Sequence, residues 1–420
     1  RSSREGTTSA RGPRVLYKMH SSFRRGGRTT GVSESKFPET TAEVTTTDPA
    51  AMKRRIDAGE SVTLLDTREP DDFAAWHVDG PNVRTVNVPH YAFLDGVAEA
   101  AVERLSTDEA VVVTCAKGLS SEFVAERLVE AGYEASHLAD GMRGWARLYE
   151  HTDVELPSGT LVRQYRRPSS GCLAYLVVSD GTAAVVDPLR AFADRYAADA
   201  ATLGAEIDVV LDTHVHADHV SGLRDLAAAT GATPAMPAAA AERGVTDADG
   251  LRLVADGDGL SVGSATLSAR ATPGHTSGMV TYVVDGALAL AGDTLFLDGV
   301  ARPDLEAGAD GAREAASQLY DSIHDRVLSL PDGTLVGAAH FAPGATARAD
   351  GAYLATVGDL RGLDVLSLDH DAFVERVGTD LPPRPANHEA IIETNLGQRA
   401  VDDDEAFEME LGPNNCAASE

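Results

Sequence analysis

Two α/β domains in tandem are the fold class this sequence predicts: a small domain with a largely parallel sheet, then a sandwich of two sheets with helices outside. Three observations carry the expectation. Strand-like runs alternate with helical patterns over residues 48–150, and paired short strands take over from Leu161. A chain of 420 residues with 43% apolar content can also fill two hydrophobic cores.

The elements follow in order. After a Ser/Thr-rich stretch to about Thr47, strands are predicted at Val62 to Leu65, Val86 to Val88 and Val111 to Thr114. The helix Ser120 to Gly132 is the clearest, because Phe123, Val124, Leu128 and Ala131 share one face and Gly132 provides a stop. Pro157 and Gly159 mark residues 151–160 as a linker. Beyond it, strands are expected at Leu173 to Val178, Ala183 to Val186 and Ile207 to Leu211, with a helix around Phe192 to Leu203 and another from Gly222. Further strands fall at Leu260 to Leu267, Val280 to Val284, Ala287 to Ala291 and Leu335 to Gly337. The domains are therefore 45–150 and 161–370, flanked by a disordered basic leader over 1–44, a C-terminal extension over 371–400 and a disordered acidic tail over 401–420.

Charge narrows the function classes. Residues 1–36 carry nine basic and two acidic side chains, so this net +7 leaves −36 on the rest of a chain whose total is −29. Lys18, Lys36, Lys53 and Lys117 are the only lysines. Such a surface repels nucleic acid and anionic membranes and stays soluble under strong ionic screening, which predicts adaptation to high salt. No run approaches the roughly 18 apolar residues of a membrane span. Cys115, Cys172 and Cys416 are too few for a disulfide framework, so a reducing, cytoplasmic setting is expected. Arg24-Arg25 lacks the apolar stretch that an export signal requires.

Cys115 stands between a buried strand and the helix that begins near Ser120, in the run Cys-Ala-Lys-Gly-Leu-Ser-Ser. A loop in that position aims successive N–H groups and the helix dipole at one point, which stabilises a thiolate or persulfide anion. Gly118 permits the tight turn, and Lys117 and Ser120 are the expected additional donors. The competing reading is a buried structural cysteine, and the loop context argues against it.

With these residues, Leu65-Asp66-Thr67-Arg68-Glu69-Pro70, Phe73, His77-Val78 and Gly141-Met142-Arg143-Gly144-Trp145 make residues 48–150 resemble the rhodaneses. The resemblance implies that Cys115 accepts sulfane sulfur and passes it to a nucleophile. Trp76 departs from the family, which usually has glycine there.

Thr213-His214-Val215-His216-Ala217-Asp218-His219 follows a strand and precedes a helix, and Pro273-Gly274-His275, Gly292-Asp293 and Ala339-His340 fall at later strand ends. Imidazole and carboxylate on converging loops suit zinc or iron with positions left open for substrate. Five histidines and two aspartates in this order argue against a non-metal explanation.

That order resembles the metallo-β-lactamase superfamily, so the second domain is expected to be an αββα sandwich. Arg163-Gln164-Tyr165, Thr272 to Thr276, Ala291 to Phe296 and Arg302-Pro303-Asp304-Leu305 bring it nearer the persulfide dioxygenases, and Pro385-Ala386-Asn387 with Ile391 and Asn395 resembles the ending of related rhodanese fusions. The resemblance implies one Fe(II) per chain on His214, His275 and Asp293, with His216, Asp218, His219 and His340 as supporting groups and Arg302 as a substrate contact. It further implies a low-molecular-weight thiol persulfide and O2 as substrates, sulfite or thiosulfate as products, no nucleic acid or membrane partner, and a homodimer left open.

The same seven residues suit two Zn(II) in a thioester hydrolase resembling glyoxalase II, with Asp293 bridging. A protein that merely stores persulfide on Cys115 is a third class. Where the family carries Pro-Ala-His-Asp-Tyr this chain has Ala338-Ala339-His340-Phe341-Ala342, without the tyrosine that holds glutathione, so the thiol carrier is an open question.

Overall fold

Val62–Asp66 and Val111–Thr114, buried along their whole lengths, sit at the centre of a five-stranded sheet. Its order is Thr45–Thr47, Ala135–Leu138, Val111–Thr114, Val62–Asp66, Val83–Asn87, and every pair is parallel. Parallel sheets need both faces covered, which explains the unbroken apolar runs. The helix Leu119–Glu130 covers one face through Phe123, Val124, Ala125 and Leu128. Residues 37–246, 249–342, 344–379 and 381–418 are described by this computed structural model.

The second domain is the expected two-sheet sandwich. One sheet runs Arg252–Val254, Thr233–Pro237, Glu206–Leu211, Thr182–Val186, Leu173–Ser179, Leu161–Arg166, Glu150–Glu155. The other runs Gly259–Val262, Ala265–Ala271, Val280–Val284, Leu288–Gly292, Leu335–Ala338, Ala355–Thr356. Val177, Leu211, Leu267, Tyr282 and Leu290 meet between the sheets, while two further clusters lie under the helices. No helix among the described residues is long and apolar enough to cross a membrane.

Several expectations are corrected. Residues 151–160 are not a linker: Glu150–Glu155 is an edge strand, paired antiparallel with Leu161–Arg166 from Glu150↔Arg166 to Glu155↔Leu161. The single strand over Leu260 to Leu267 is a hairpin, because Gly263 turns the chain at φ 57° between Val262 and Ala265. The expected disordered leader lies outside the described residues up to position 36, and from Thr40 the chain is held, with Thr40 and Thr41 bonding Glu126 and Glu130.

The expected disordered acidic tail is ordered over residues 401–418. Asp402 caps a helix, Asp403–Met409, by accepting from the Glu405 amide. Phe407 from that helix is buried beneath the guanidinium groups of Arg143, Arg147 and Arg167. In the extension, the helices His370–Val377 and His388–Asn395 bury Phe373, Val374, Val377, Ile391 and Asn395.

Candidate metal centre and sulfur-carrier loop

In the first domain, Gly118 adopts φ 88°, a conformation open to glycine, and caps the helix Leu119–Glu130. Its amide donates to Cys115 Sγ at 3.1 Å, while the thiol lies 3.3 Å from Ser121 Oγ. Burial pushes the Cys115 thiol up, but hydrogen bonds from Ser120, Ser121 and the backbone outweigh it and bring the thiol below its ordinary 9.0. Ser121 was missed by sequence reasoning, although a second hydroxyl beside Ser120 was visible. Lys117 serves the thiol through its backbone amide and not through its side chain, whose Nζ sits 3.0 Å from Glu408 Oε1 on the helix Asp403–Met409.

In the second domain, four strand ends deliver the histidine and aspartate loops to one place. Glu206–Leu211 leads to His214, Ala265–Ala271 to His275, Leu288–Gly292 to Asp293, and Leu335–Ala338 to His340. Gly292, at φ 53°, admits the Thr213 hydroxyl where any Cβ would collide with it at 2.5 Å. All seven candidate side chains are buried.

Their hydrogen bonds divide them. His275 Nδ1 bonds the Arg302 carbonyl at 2.8 Å and His214 Nδ1 bonds Thr213 Oγ1 at 2.9 Å. This leaves His214 Nε2, His275 Nε2 and Asp293 Oδ2 buried with no hydrogen-bond partner. The two nitrogens lie 3.8 and 3.6 Å from that oxygen. Burial holds both imidazoles below their ordinary range, hence neutral. For Asp293 burial opposes ionisation, but His340 and His275 overcome it and keep the carboxyl low. Two neutral imidazoles and one carboxylate with free electron pairs aimed at one point are the donor set of a 2-His-1-carboxylate metal site.

His216 falls outside that group, although its Nδ1 too is buried with no hydrogen-bond partner. Its Nε2 is held 3.0 Å from Asp187 Oδ1, and Asp187 also accepts from the Thr213 amide and hydroxyl. His340 links two carboxylates, with Nδ1 2.6 Å from Asp293 Oδ1 and Nε2 2.8 Å from Asp218 Oδ2. Burial disfavours its charge, yet Asp218 and Asp293 hold its proton well above the ordinary range. Asp218 also accepts from His219 and Cys172, and its Oδ1 and His219 Nε2 lack partners.

Sequence reasoning used Cys172 and Cys416 only as markers of compartment, yet Cys172 groups with Asp218, His219 and His340, and Cys416 with Asp293 and His340. Asn395 was noted but not its role: its amide donates to the His216 and His219 carbonyls and its oxygen accepts from the Ser221 amide, fixing the histidine loop. Arg302 corrects an expectation. Its guanidinium is fully buried and committed to Asp304, the Pro383 carbonyl and the Asn415 carbonyl, so it shapes the site rather than contacting substrate. A cavity of about 340 Å³ lined by Phe296, Phe341, Ser170 and Asn415 reaches His340.

Comparison with known proteins places both halves. Residues 168–340 match the metallo-beta-lactamase superfamily and residues 48–148 match the rhodanese-like domain. A mitochondrial persulfide dioxygenase of Bos taurus is 31% identical over 257 residues, covering 60% of this chain and 92% of that protein. A hydroxyacylglutathione hydrolase of Acidiphilium cryptum is 44% identical over 157 residues, covering 37% of this chain and 62% of that protein. A Staphylococcus aureus metallo-beta-lactamase structure superposes with TM-score 0.53 at 23% identity, covering 58% of this chain and 74% of that one, which supports the fold.

Proposed function

The chain belongs to the metallo-beta-lactamase superfamily, in the family of the persulfide dioxygenases, with a rhodanese-like domain ahead of it, and from that premise we propose that it oxidises a thiol persulfide to sulfite. The reaction is R–S–SH + O2 + H2O → R–SH + SO3²⁻ + 2 H⁺: the terminal sulfur is oxidised, dioxygen is reduced and the S–S bond breaks. One observation carries the reading: His214 Nε2, His275 Nε2 and Asp293 Oδ2 are buried, convergent and unpartnered. They would hold one Fe(II), which supplies the redox capacity that a spin-paired thiol lacks towards dioxygen.

The chain's own residues do the rest. The Arg302 carbonyl and Thr213 hydroxyl hold the remote nitrogens of His275 and His214, fixing each ring. His340 keeps protons on both nitrogens between Asp218 and Asp293 and so orients the carboxylate oxygen that faces the metal position. The Phe296 and Phe341 rings give the cavity beside His340 an apolar wall.

We assign Cys115 the second activity. Its thiolate attacks the outer sulfur of thiosulfate, S2O3²⁻ + Cys–S⁻ → Cys–S–S⁻ + SO3²⁻, and the persulfide anion takes the Gly118 amide and the Ser120 and Ser121 hydroxyls as donors. The reverse step would consume the sulfite made at the metal centre. Three free cysteines support a cytoplasmic setting.

A two-zinc thioester hydrolase is the second reading, favoured by the unpartnered Asp218 Oδ1 and His219 Nε2. Metal analysis of protein purified without added metal separates them, at about one iron against two zinc per chain. Oxygen uptake with thiol persulfides tests the first reading; no uptake by iron-loaded protein with any persulfide sinks it.

A further inference from the structure

The helix Asp403–Met409 is anchored by buried groups. Phe407 lies beneath the guanidinium groups of Arg143, Arg147 and Arg167, and Glu410, just beyond the helix, pairs with Arg167 at 2.8 Å. Two further acidic residues of the helix meet the Cys115 loop and its support instead. Glu408 Oε1 lies 3.0 Å from Lys117 Nζ and 3.2 Å from Arg143 Nη1, and Asp404 pairs with Arg143.

These pairs add little to the fold. The side chains of Lys117, Glu408 and Asp404 are 57%, 37% and 82% exposed, and ion pairs at such exposure contribute little stability. Their position is what distinguishes them. The Met142 amide donates to the Cys115 carbonyl at 2.7 Å, the Arg143 amide to the Ala116 carbonyl at 3.1 Å, and the Lys117 amide to the thiol itself. Both cations therefore belong to residues bonded directly to the loop that carries the reactive sulfur.

Without the helix, the rim of this loop would present Lys117 and Arg143 as two positive charges. Glu408 and Asp404 cancel them, and Asp140, whose backbone packs against Gly118, adds a further acidic residue. Thiosulfate carries two negative charges, whereas a thiol persulfide group carries at most one. Coulomb energy scales with the product of the charges, so a cancelled rim costs the dianion twice as much attraction as the monoanion. The Gly118 amide and the Ser121 hydroxyl still reach the sulfur, and neither depends on the helix. The surface beside the thiol is also partly apolar: Leu119 is 72% exposed and Ala116 is exposed, which gives the organic arm of a persulfide something to cover and gives thiosulfate nothing.

We propose that Glu408 and Asp404 set the donor specificity of the Cys115 loop, holding down transfer from dianionic thiosulfate and leaving a thiol persulfide as the favoured donor; this rests on the reading of Cys115 as a sulfur carrier. The transfer is Cys115–S⁻ + R–S–S–H → Cys115–S–S–H + R–S⁻: the thiolate attacks the outer sulfur, one S–S bond forms as another breaks, and R–S⁻ leaves. Thiosulfate remains a donor at a rate that the rim limits.

Loading is followed on the full-length protein under nitrogen, where dioxygen cannot consume the persulfide. The protein is mixed with thiosulfate or with cysteine persulfide at an ionic strength of about 0.01 M and quenched with an alkylating agent, and the sulfur added at Cys115 is read by peptide mass spectrometry. Glu408→Gln combined with Asp404→Asn should load from thiosulfate about tenfold faster than the parent, the lower end of the range for electrostatic steering. From cysteine persulfide the gain should be no more than about threefold, as half the charge dictates. Adding Lys117→Gln to the double variant should remove most of the thiosulfate gain, which separates a change of charge from a loosened helix.

The gain should shrink as chloride is added. In the parent, the thiosulfate rate should stay flat or rise with chloride, because no net positive rim is there to be screened, and this readout needs no variant. A gain of equal size for both donors, a gain that chloride leaves untouched, or a steep fall of the parent's thiosulfate rate with chloride overturns the proposal. Failure of Cys115 to load from either donor overturns the sulfur-carrier reading instead.

Discussion

Glu410→Ala should unfold this protein far more readily than a substitution in a solvated acidic stretch ordinarily does. Arg167 and Glu410 form an ion pair at 2.8 Å with side chains 0% and 1% exposed. The remaining bonds are fixed: Arg167 Nε donates to the Ala146 carbonyl, Glu410 Oε2 accepts from the Val220 amide, and Arg167 Nη2 has no partner. Removing the carboxylate leaves a buried guanidinium with one strong acceptor, and breaking such a pair from one side destabilises by about 3–5 kcal/mol.

At about 2–4 °C per kcal/mol for domains of this size, the denaturation midpoint should fall by roughly 6–20 °C. Circular dichroism melts of the parent, Glu410→Ala and the double variant Arg167→Leu/Glu410→Ala measure it. The double variant should recover part of the loss, because no charge is then left unpaired. A midpoint within about 2 °C of the parent would refute the reasoning and return the tail to a solvated segment. Val220 follows His219 directly, so the single variant should also hold metal less tightly.

The other expectations are simpler to test. Cys115→Ser should abolish thiosulfate sulfur transfer while oxygen uptake with a free thiol persulfide stays within about twofold, since no hydrogen bond links Cys115 to the metal loops among the described contacts. The wild-type transfer rate should rise with pH and level off below 9.0, because a lowered thiol pKa fills the thiolate earlier; Ser120→Ala with Ser121→Ala should move the inflection up, and a wild-type inflection at or above 9.0 contradicts this. Asp293→Asn should lose the metal and at least about 100-fold in oxygen uptake, read by elemental analysis and an oxygen electrode, whereas His340→Ala should keep one iron; loss of half the metal in the latter points to the binuclear hydrolase. Molar sodium or potassium chloride should raise the melting midpoint by screening the −36 charge outside residues 1–36, as the Debye length falls from about 30 Å at 0.01 M to about 3 Å; a flat response removes the high-salt reading.

What was legible in the sequence was local. The Cys115 loop and the histidine cluster are contiguous runs between a strand and a helix, so their placement follows from a few neighbouring residues. What was missed is non-local. Asp403–Met409 reads as a solvated acidic stretch because its cations, Arg143, Arg147, Arg167 and Lys117, lie more than 200 residues away along the chain. Arg302 sits in a motif that suggests substrate, and only the fold reveals that Asp304 and two carbonyls consume its donors. Glu150–Glu155 carries no apolar run, being an edge strand held by backbone pairing and by the Arg163–Asp153 bridge. Thr233–Pro237 contains two prolines, which argue against a strand until its parallel neighbours are known.

The same non-local contacts bear on how many metal ions the centre takes, a question ligand identity alone leaves open. Seven side chains of the right type are present, but a ligand needs a free electron pair as well as a suitable atom. His214 and His275 use Nδ1 for hydrogen bonds and leave Nε2 free, His216 spends Nε2 on Asp187 and leaves Nδ1 free, and His340 spends both nitrogens on carboxylates. One metal on His214, His275 and Asp293 therefore displaces no hydrogen bond. A second ion at Asp218 and His219 finds two free atoms, and a further ligand drawn from His340 or Cys172 has to release a buried carboxylate first. Each release leaves a buried acceptor short of a donor, at about 1–3 kcal/mol, more where the group is charged. That penalty falls on a second ion that draws on His340 or Cys172 and not on the first, so the two sites differ in what they displace.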